Sequence, residues 1–504
     1  MTRHFDVLAR GSRSKSAQGR LLRLEFLEPR WTLGVSAAAN FLGLIDPTMA
    51  KLVKSLCADG SISRADMIRV LQTVQREPDG VVDATNLSDL RTIVKNAAKL
   101  KMANYVTVLA SDIVNGNKAN ASYLGKALGN LTVGSTANTL GNLIDKWFYG
   151  GDLPDAGTYS YTTASGSLYG KSGPSHSDEC QGYLGDCYLI SAFGSIASSS
   201  KAAIKSMFIA NGDNTWTVRF YYRSKADYVT VNRKLPVDTD GNLAYQGCGW
   251  SATSANNALW LSLLEKAYAE WNETGKTGRS TAVNSYSAIA SGHSDDVFKQ
   301  ALGYSITVRD ISMSAPNARQ LLINAVATNQ AVVIGTLASF QGKKVLAAAA
   351  QTKLKSIHDY NVIAYNRSTG KFTLFNPWGS SQPNKVTWAQ LKTLCDALAV
   401  AYTKKTAIAR GDAASELMVS YVSTPNVVVS SAKTSDARVA AAKTVDALFA
   451  DQGGVAVQPV AAMLGSETWR LRDSTNQPTT KASGDLFAEI DDWIDAIWLP
   501  LATF

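Results

Sequence analysis

The residues of this chain that could do chemistry centre on Cys187, which stands in the stretch DECQGYLGDCYLISAFGSIA at positions 178–197. A glycine-containing loop precedes it, and an apolar pattern at helical spacing follows it at Leu189, Ile190, Phe193 and Ile196. The pattern predicts a helix that begins at or near Cys187. Amide groups and the helix dipole at such a terminus favour a thiolate, so we expect a lowered pKa for the Cys187 thiol and a nucleophilic role. A small cysteine buried in the core is the alternative.

A nucleophilic thiol needs a base within hydrogen-bond reach, and the chain has 4 histidines. His4 lies near the N-terminus, and His176 and His293 stand in segments rich in Gly and Ser, where we expect exposed side chains. His358 instead opens the run HDYNVIAYN, which is followed by RSTG and KFTLFNPW and predicts a β-hairpin. With the turn centred near position 367, the cross-strand partner of His358 is Asn376, within a residue or two of register error.

A carboxamide at Asn376 can accept the imidazole N–H, orient the ring and fix its tautomer. Cys187, His358 and Asn376 would then form the Cys-His-Asn variant of the nucleophile–base–orienter triad. An ordinary hairpin with a surface histidine is the alternative for this segment. Gln181, six residues before the cysteine, is the candidate for donating a hydrogen bond to the oxyanion of a tetrahedral intermediate, together with the Cys187 backbone N–H. A solvated loop glutamine is the alternative there.

These motifs occur in the order seen in calpains: QGYLGDC at 181–187, the helix LWLSLLEKAYAEW at 259–271, His358, and NPWG at 376–379. The chain therefore resembles a bacterial member of the calpain-type cysteine proteases over about residues 160–410. The resemblance implies Cys187 as nucleophile, His358 as general base and then acid, Asn376 as orienter, Gln181 as oxyanion donor, and Trp378 as a shield beside the pair.

The sequence departs from the calpain pattern at two positions near the expected cleft. Tyr188 stands where calpains usually have Trp, and Ile357 stands where they have Gly before the histidine. We expect both to affect the fit of the substrate more than the chemistry.

The implied fold is α+β: a papain-like two-lobed calpain protease core, with the Cys187 helix in one lobe, the His358–Asn376 hairpin in the other and the cleft between them. The implied function is hydrolysis of internal peptide bonds in a polypeptide substrate through a thioester. Two rivals stay open: a transglutaminase-like acyl transferase, against which Asn376 argues because that chemistry usually has Asp as third member, and a catalytically inactive calpain-like scaffold.

Calcium is the one cofactor that the resemblance brings into question, because the calpain core binds calcium at two places. For the first calcium site, Gly173 and Asp178 stand at the expected distances before Cys187 in the sequence. Ala258, however, occupies the position of the expected glutamate. At the second, residues 380–390 (SSQPNKVTWAQ) contain no acid. Calcium takes six to eight oxygen ligands, so we expect no cofactor and a calcium-independent protease. The segment CADGSISRAD at 57–66 resembles half of an EF-hand, although a plain helical turn fits its residues better.

The rest of the chain predicts a domain organisation. Residues 1–35 form a basic leader expected to be disordered, 36–155 a helical N-terminal domain, 160–410 the catalytic domain, and 411–504 a low-complexity tail rich in Ala, Ser, Thr and Val. Within the helical domain Ser63 and Asn86 are expected N-caps, each with an acid three residues on.

Composition limits the function classes. The net charge is +9, and much of it lies in the leader, which we interpret as solvated rather than as a nucleic-acid-binding arm. No run approaches about 18 uninterrupted apolar residues, so we expect no membrane span and a soluble protein. The protein would be cytoplasmic, or exported through a non-standard leader, for which LRLEFLEPRWTL at 22–33 is the weak signal; its oligomeric state is left open. The 5 cysteines are scattered, with no metal-ligand CxxC pair.

Overall fold

The computed structural model describes residues 41–303 and 308–401, except for the side chains of 308–311. The predicted leader at 1–35 and tail at 411–504 lie outside these ranges. The helices of the described part are α1 Pro47–Leu56, α2 Arg64–Gln75, α3 Ala84–Lys95, α4 Asn104–Val114, α5 Ala137–Ile144, α6 Cys187–Ser199, α7 Lys201–Met207, α8 Trp260–Glu273, α9 Ser294–Leu302, α10 Ala318–Ala327, α11 Lys343–Thr352 and α12 Trp388–Leu394.

The strands of the same part are mostly short and lie chiefly after α7. They are β1 Ser122–Tyr123, β2 Lys126–Ala127, β3 Ser160–Thr163, β4 Phe208–Ala210, β5 Trp216–Tyr222, β6 Lys225–Val231, β7 Lys234–Val237, β8 Val308–Ser312, β9 Ala331–Thr336, β10 Asp359–Asn366, β11 Lys371–Phe375, β12 Val386–Thr387 and β13 Cys395–Ala401. Helix and sheet are therefore mixed, as the predicted α+β class requires. Among the described helices, none is both long enough and apolar enough to cross a bilayer.

The first five helices follow from capping and apolar spacing, with one correction. Ser63 caps α2 in a reciprocal capping box with Asp66, as predicted. The prediction of Asn86 as an N-cap is wrong: Asp83 caps α3, and Asn86 is its third helical residue and completes the box. An Asn can occupy either end of a capping box, so its presence alone does not distinguish the N-cap from the third helical position.

A single six-stranded sheet carries His358 and its neighbours. Its strand order is β12-β11-β10-β9-β13-β8, so β10, which directly follows His358, lies in the interior of the sheet between β11 and β9. Alternate side chains of a strand point to opposite faces. In β9 the alternation sends Ala331 and Val333 to one hydrophobic cluster and Val332 and Ile334 to another.

The two clusters divide the described protein around this sheet. The first contains residues of α6, of the fully buried helix α8 and also of the helices α1–α5. The second lies between the other face of the sheet and residues from α10 and α12. The boundaries predicted near residues 35, 155 and 410 stay predictions.

The hairpin of β10 and β11 forms as predicted, but its register differs by two residues. Asn366 faces Lys371 and Asn361 faces Phe375, with a bulge between Val362 and Ala364. Continued backwards, this register sets position 378, and not 376, opposite His358. The turn is centred between positions 368 and 369, which alone would set position 379 opposite His358. The extra residue of the bulge in β10 takes one position back, to 378.

Candidate active site

Cys187 is the first residue of α6, as its sequence pattern predicts. Asp186 precedes it as N-cap and makes no side-chain capping bond, so the Cys187 end of the helix stays open towards the cavity. Glycine is required in the loop before it: a Cβ on Gly182 would lie 2.2 Å from the carbonyl oxygen of Ala244. The loop can therefore pass tightly under the helix and present the half-buried thiol to the cavity.

Contrary to the expectation from the helix terminus, the pKa of the Cys187 thiol lies above its usual value. Burial raises the pKa of the Cys187 thiol to about 12, and the Asp359 carboxylate adds to the rise in pKa by disfavouring a second negative charge. The sequence could not reveal this, because Asp359 comes to the thiol only through the placement of β10 against α6. The thiol is therefore protonated at neutral pH.

His358 and Asn376 are brought together although their strand positions are offset. The Nε2 atom of His358 lies 2.9 Å from Oδ1 of Asn376, and both residues are buried. Oδ1 also accepts the backbone N–H of Trp378 at 3.1 Å, which identifies it as the acceptor. Nε2 must therefore carry the imidazole proton, and Nδ1 is left as the basic nitrogen.

Aromatic rings hold the imidazole from two sides. The rings of Trp378 and Tyr360 each lie 4.8 Å from the His358 ring, centroid to centroid. Burial lowers the pKa of His358 below its usual value, and the hydrogen bond to Asn376 partly offsets this by raising the pKa. The imidazole is therefore neutral near pH 7, as a general base must be before it acts.

Gln181 lines the same cavity as Cys187 and His358, but its amide is engaged within the loop. Its Nε2 donates to the carbonyl oxygen of Leu184 at 2.8 Å. The same amide also hydrogen-bonds the buried carboxyl of Asp186 and partly offsets the rise that burial causes in the pKa of that carboxyl, so an oxyanion would compete with both of these partners. The predicted oxyanion role of Gln181 stays a prediction.

Direct hydrogen bonds join the Cys187 side of the site to the His358 side. Ser191 of α6 donates to the carbonyl oxygen of Asp359 at 3.1 Å. Ser195, one turn on, donates to the Val332 carbonyl oxygen at 3.0 Å and accepts from the N–H of the same residue at 2.6 Å. The N–H of Gln181 donates to the Pro377 carbonyl oxygen at 2.8 Å. These contacts hold α6 against the sheet.

The last glycine of the NPWG segment allows the chain to pass close to the loop before Cys187. Gly379 has a φ of +71°, and a Cβ there would lie 2.5 Å from the backbone oxygen of Glu179. Any side chain at this position would push the segment that carries Asn376 away from the loop before Cys187.

One wall of the cavity is formed by a loop that the sequence analysis did not predict as part of the site. The loop at 288–292 reaches the cavity with Ser291 and Gly292 and continues into His293, which had been expected to be only a surface residue. Arg279 donates to three backbone carbonyls of residues 288–291, and the phenol of Tyr188 donates to the fourth. The tyrosine next to the nucleophile thus anchors the wall of the cavity. A lone Arg in a Gly/Ser-rich segment gave no signal of this role.

Asp178 and Gly173, the two residues that match the first calcium site of the resemblance, have other neighbours in the structure. Oδ2 of Asp178 accepts the indole N–H of Trp260 at 2.8 Å. Beside Gly173 the neighbours are cationic: a Cβ there would lie 3.7 Å from Nζ of Lys205, and Lys201 donates to the Ser172 carbonyl oxygen at 2.8 Å. Within the described ranges no group of three or more His, Cys, Asp or Glu side chains is arranged to hold a metal ion.

The cavity beside Cys187 and His358 has a volume of about 660 Å³. It brings together Cys187, His358, Gln181 and Trp378, and Asn376 lies behind the histidine. A thiol, a neutral imidazole with a fixed tautomer and an orienting carboxamide are the parts needed for acyl transfer through a thioester.

Comparison with known proteins agrees with this chemistry. The calpain-type cysteine protease DEK1 of Zea mays is 30% identical over 146 residues, which are 28% of this chain and 6% of the maize protein. Calpain-8 and the calpain-2 catalytic subunit of Homo sapiens are each 24% identical over 218 residues, 41% of this chain and 28% of the human proteins. The chain thus spans a minor part of these relatives, and the expected bacterial origin stays a prediction. The family described as calpain family cysteine protease matches residues 162–413, half of the sequence. The chain belongs to the calpain family of cysteine proteases.

Proposed function

We propose that this cysteine peptidase is an endopeptidase that cleaves polypeptides through Cys187, His358, Asn376 and Gln181. The observation that carries the proposal is the 2.9 Å contact between His358 Nε2 and Asn376 Oδ1, at the edge of the cavity that Cys187 lines. It leaves Nδ1 as the proton acceptor of the imidazole.

In the proposed mechanism, His358 takes the thiol proton as the thiolate of Cys187 attacks the peptide carbonyl. The backbone N–H of Cys187, with the side-chain amide of Gln181, stabilises the oxyanion. The imidazolium then gives its proton to the leaving amine, and a thioester remains. Water, deprotonated by His358, hydrolyses the thioester and restores the thiol.

The raised thiol pKa and lowered imidazole pKa define the starting state of this mechanism. Both groups are neutral before the substrate binds, so the proton moves from Cys187 to His358 during the reaction and not beforehand. The bond to Asn376 stabilises the imidazolium as it forms, which makes the transfer less unfavourable.

We further propose the papain-like arrangement of two lobes with an open cleft between them. Two separate hydrophobic clusters, one containing α6 and the other lying behind the sheet that follows His358, support it. An open groove of this kind accommodates an extended polypeptide, which is the substrate class that we propose.

The protease is proposed to be calcium-independent. Two observations support this: the lysines Lys201 and Lys205 beside Gly173, and the direct hydrogen bonds of Ser191 and Ser195 that already hold the nucleophile helix on the sheet. A divalent cation beside Gly173 would be repelled by the positive charges of these lysines.

The test is digestion of unfolded casein by the purified full chain and by the Cys187→Ala variant, each in excess EGTA. Cleavage by the parent and none by the variant is expected. A thiol-directed activity probe, used with and without a competing amine acceptor, separates the rivals. Transfer to the amine in preference to hydrolysis would indicate an acyl transferase. A thiol that the probe does not label, together with intact casein, would indicate an inactive scaffold.

A further inference from the structure

Two large hydrophobic side chains are unusually exposed at the mouth of the active-site cavity. Ile357 is 72% exposed and Tyr183 is 71% exposed, the highest values among the exposed large hydrophobic residues of the described part. Both line the cavity that contains Cys187. Single exposed apolar residues are ordinary on a protein surface, but here the two most exposed converge on one site.

Ile357 also has an unfavourable backbone conformation for an isoleucine. Its φ is +50°, in the left-handed region that a β-branched residue disfavours strongly. Surrounding hydrogen bonds impose this conformation: the N–H of Ile357 donates to the Leu337 carbonyl oxygen at 3.0 Å, and the N–H of His358 donates to Thr336 Oγ1 at 3.0 Å.

Glycine or asparagine would adopt the conformation of position 357 with less strain. Packing does not compensate for the strain, because the isoleucine side chain is largely exposed. Backbone strain of this kind is found at ligand-binding sites, where the side chain contacts something outside the chain.

Tyr183 is exposed but held in place. Its N–H donates to the Ala244 carbonyl oxygen at 3.1 Å. Its ring stacks on Tyr159 at 6.1 Å, and Tyr159 in turn meets the edge of Tyr245 at 5.4 Å. A ring fixed in this way loses little conformational entropy when it binds an apolar group.

We infer that Ile357 and Tyr183 grip a large apolar side chain of the substrate residue that follows the scissile bond. The side of the bond follows from the chemistry: Ile357 adjoins His358, whose imidazole delivers the proton to the leaving amine. The residue that owns this amine is therefore the one nearest to Ile357. The inference rests on the proposed endopeptidase function and narrows its substrates to sequences with Leu, Ile, Phe or a similar residue after the cleaved bond.

The test compares cleavage sites and rates for the full chain and its variants. Parent protein digests a library of quenched fluorescent peptides that differ only in the residue after the bond, and the products are sequenced by mass spectrometry. We expect the parent kcat/KM to be about tenfold higher for apolar than for polar residues at that position. The Ile357→Asn variant should lose most of this preference, mainly through a higher KM for the apolar peptides. Because asparagine adopts the left-handed backbone conformation with less strain, the Tm of the variant should be at least as high as that of the parent.

Two further variants sharpen the comparison. Tyr183→Ser should reduce the preference as well, whereas Leu346→Ser removes an exposed apolar side chain outside the cavity lining and should leave the preference intact. Unchanged selectivity in both Ile357→Asn and Tyr183→Ser, or an apolar preference located only before the bond, would overturn the inference. Failure of the proposed function would look different, since the parent would then cleave none of the peptides.

Discussion

Replacing Asn376 by Ala removes the side chain that orients the His358 imidazole and leaves the other proposed catalytic groups in place. The side chain is 1% exposed and cannot touch the substrate, so its effect must pass through His358. In the variant, Nε2 loses its acceptor at 2.9 Å, and the two imidazole tautomers become closer in energy.

The expected loss can be estimated from the hydrogen bond. Leaving a buried donor without a partner costs about 1–3 kcal/mol. The neutral imidazole loses this bond as well, so kcat changes only by the extra strength of the bond in the imidazolium, about 1–1.5 kcal/mol. We therefore expect kcat to fall by about 5- to 12-fold, with KM changed by less than about twofold. The acid limb of kcat/KM should also move to lower pH, because the bond to Asn376 raises the pKa of His358 and its loss lowers that pKa further.

The assay is the pH dependence of peptide hydrolysis for the parent, Asn376→Ala and the control Asn384→Ala. Asn384 donates to the Gln351 carbonyl oxygen at an exposed position and has no contact with the triad residues in this structure. Its variant should match the parent. A parent-like kcat in Asn376→Ala, or an acid limb that moves to higher pH, would refute the assignment of Asn376 as orienter.

Three further outcomes are expected. Cys187→Ala should abolish cleavage, whereas Cys180→Ala should keep most of it, because the Cys180 thiol faces the Cys248 carbonyl oxygen and not the cavity; the reverse pattern would make Cys187 the wrong nucleophile. Alkylation of Cys187 by iodoacetamide in the free protein should rise by about tenfold per pH unit between pH 7 and 9, since its thiol pKa is about 12, and a plateau near pH 6 would contradict that pKa. Activity in millimolar calcium should exceed activity in EGTA by less than about tenfold, and a larger increase would show that calcium aligns the core.

The sequence predicted the parts of the site that depend on local pattern. Apolar spacing after a glycine loop placed Cys187 at the start of α6, and the hairpin signal brought His358 near Asn376. His358 and Asn376 form the predicted contact although the hairpin register differs from the predicted one by two residues, because long side chains at neighbouring positions can span such an offset. A bulge such as the one after Val362 leaves no mark in the residue types.

Features that depend on long-range packing were not predictable. The rise in the pKa of the Cys187 thiol comes first from its burial in the folded core and then from the carboxylate of Asp359, 172 positions away in sequence numbering. The support of the wall at 288–292 by Arg279 and Tyr188 likewise depends on elements that meet only in the folded chain. Local patterns determine where helices and strands begin, whereas the electrostatics of a buried thiol depend on the whole core.

The central claim is that Cys187 is the nucleophile of a working peptidase, and covalent labelling tests it most directly. The parent protein is treated with a peptidyl epoxysuccinate, and intact mass, peptide mapping and residual casein cleavage are followed together. The account predicts one adduct per chain, on Cys187 among the 5 cysteines, with activity falling in proportion to labelling. An adduct on another cysteine that accompanies the loss of activity, or full activity after complete labelling of Cys187, would contradict it.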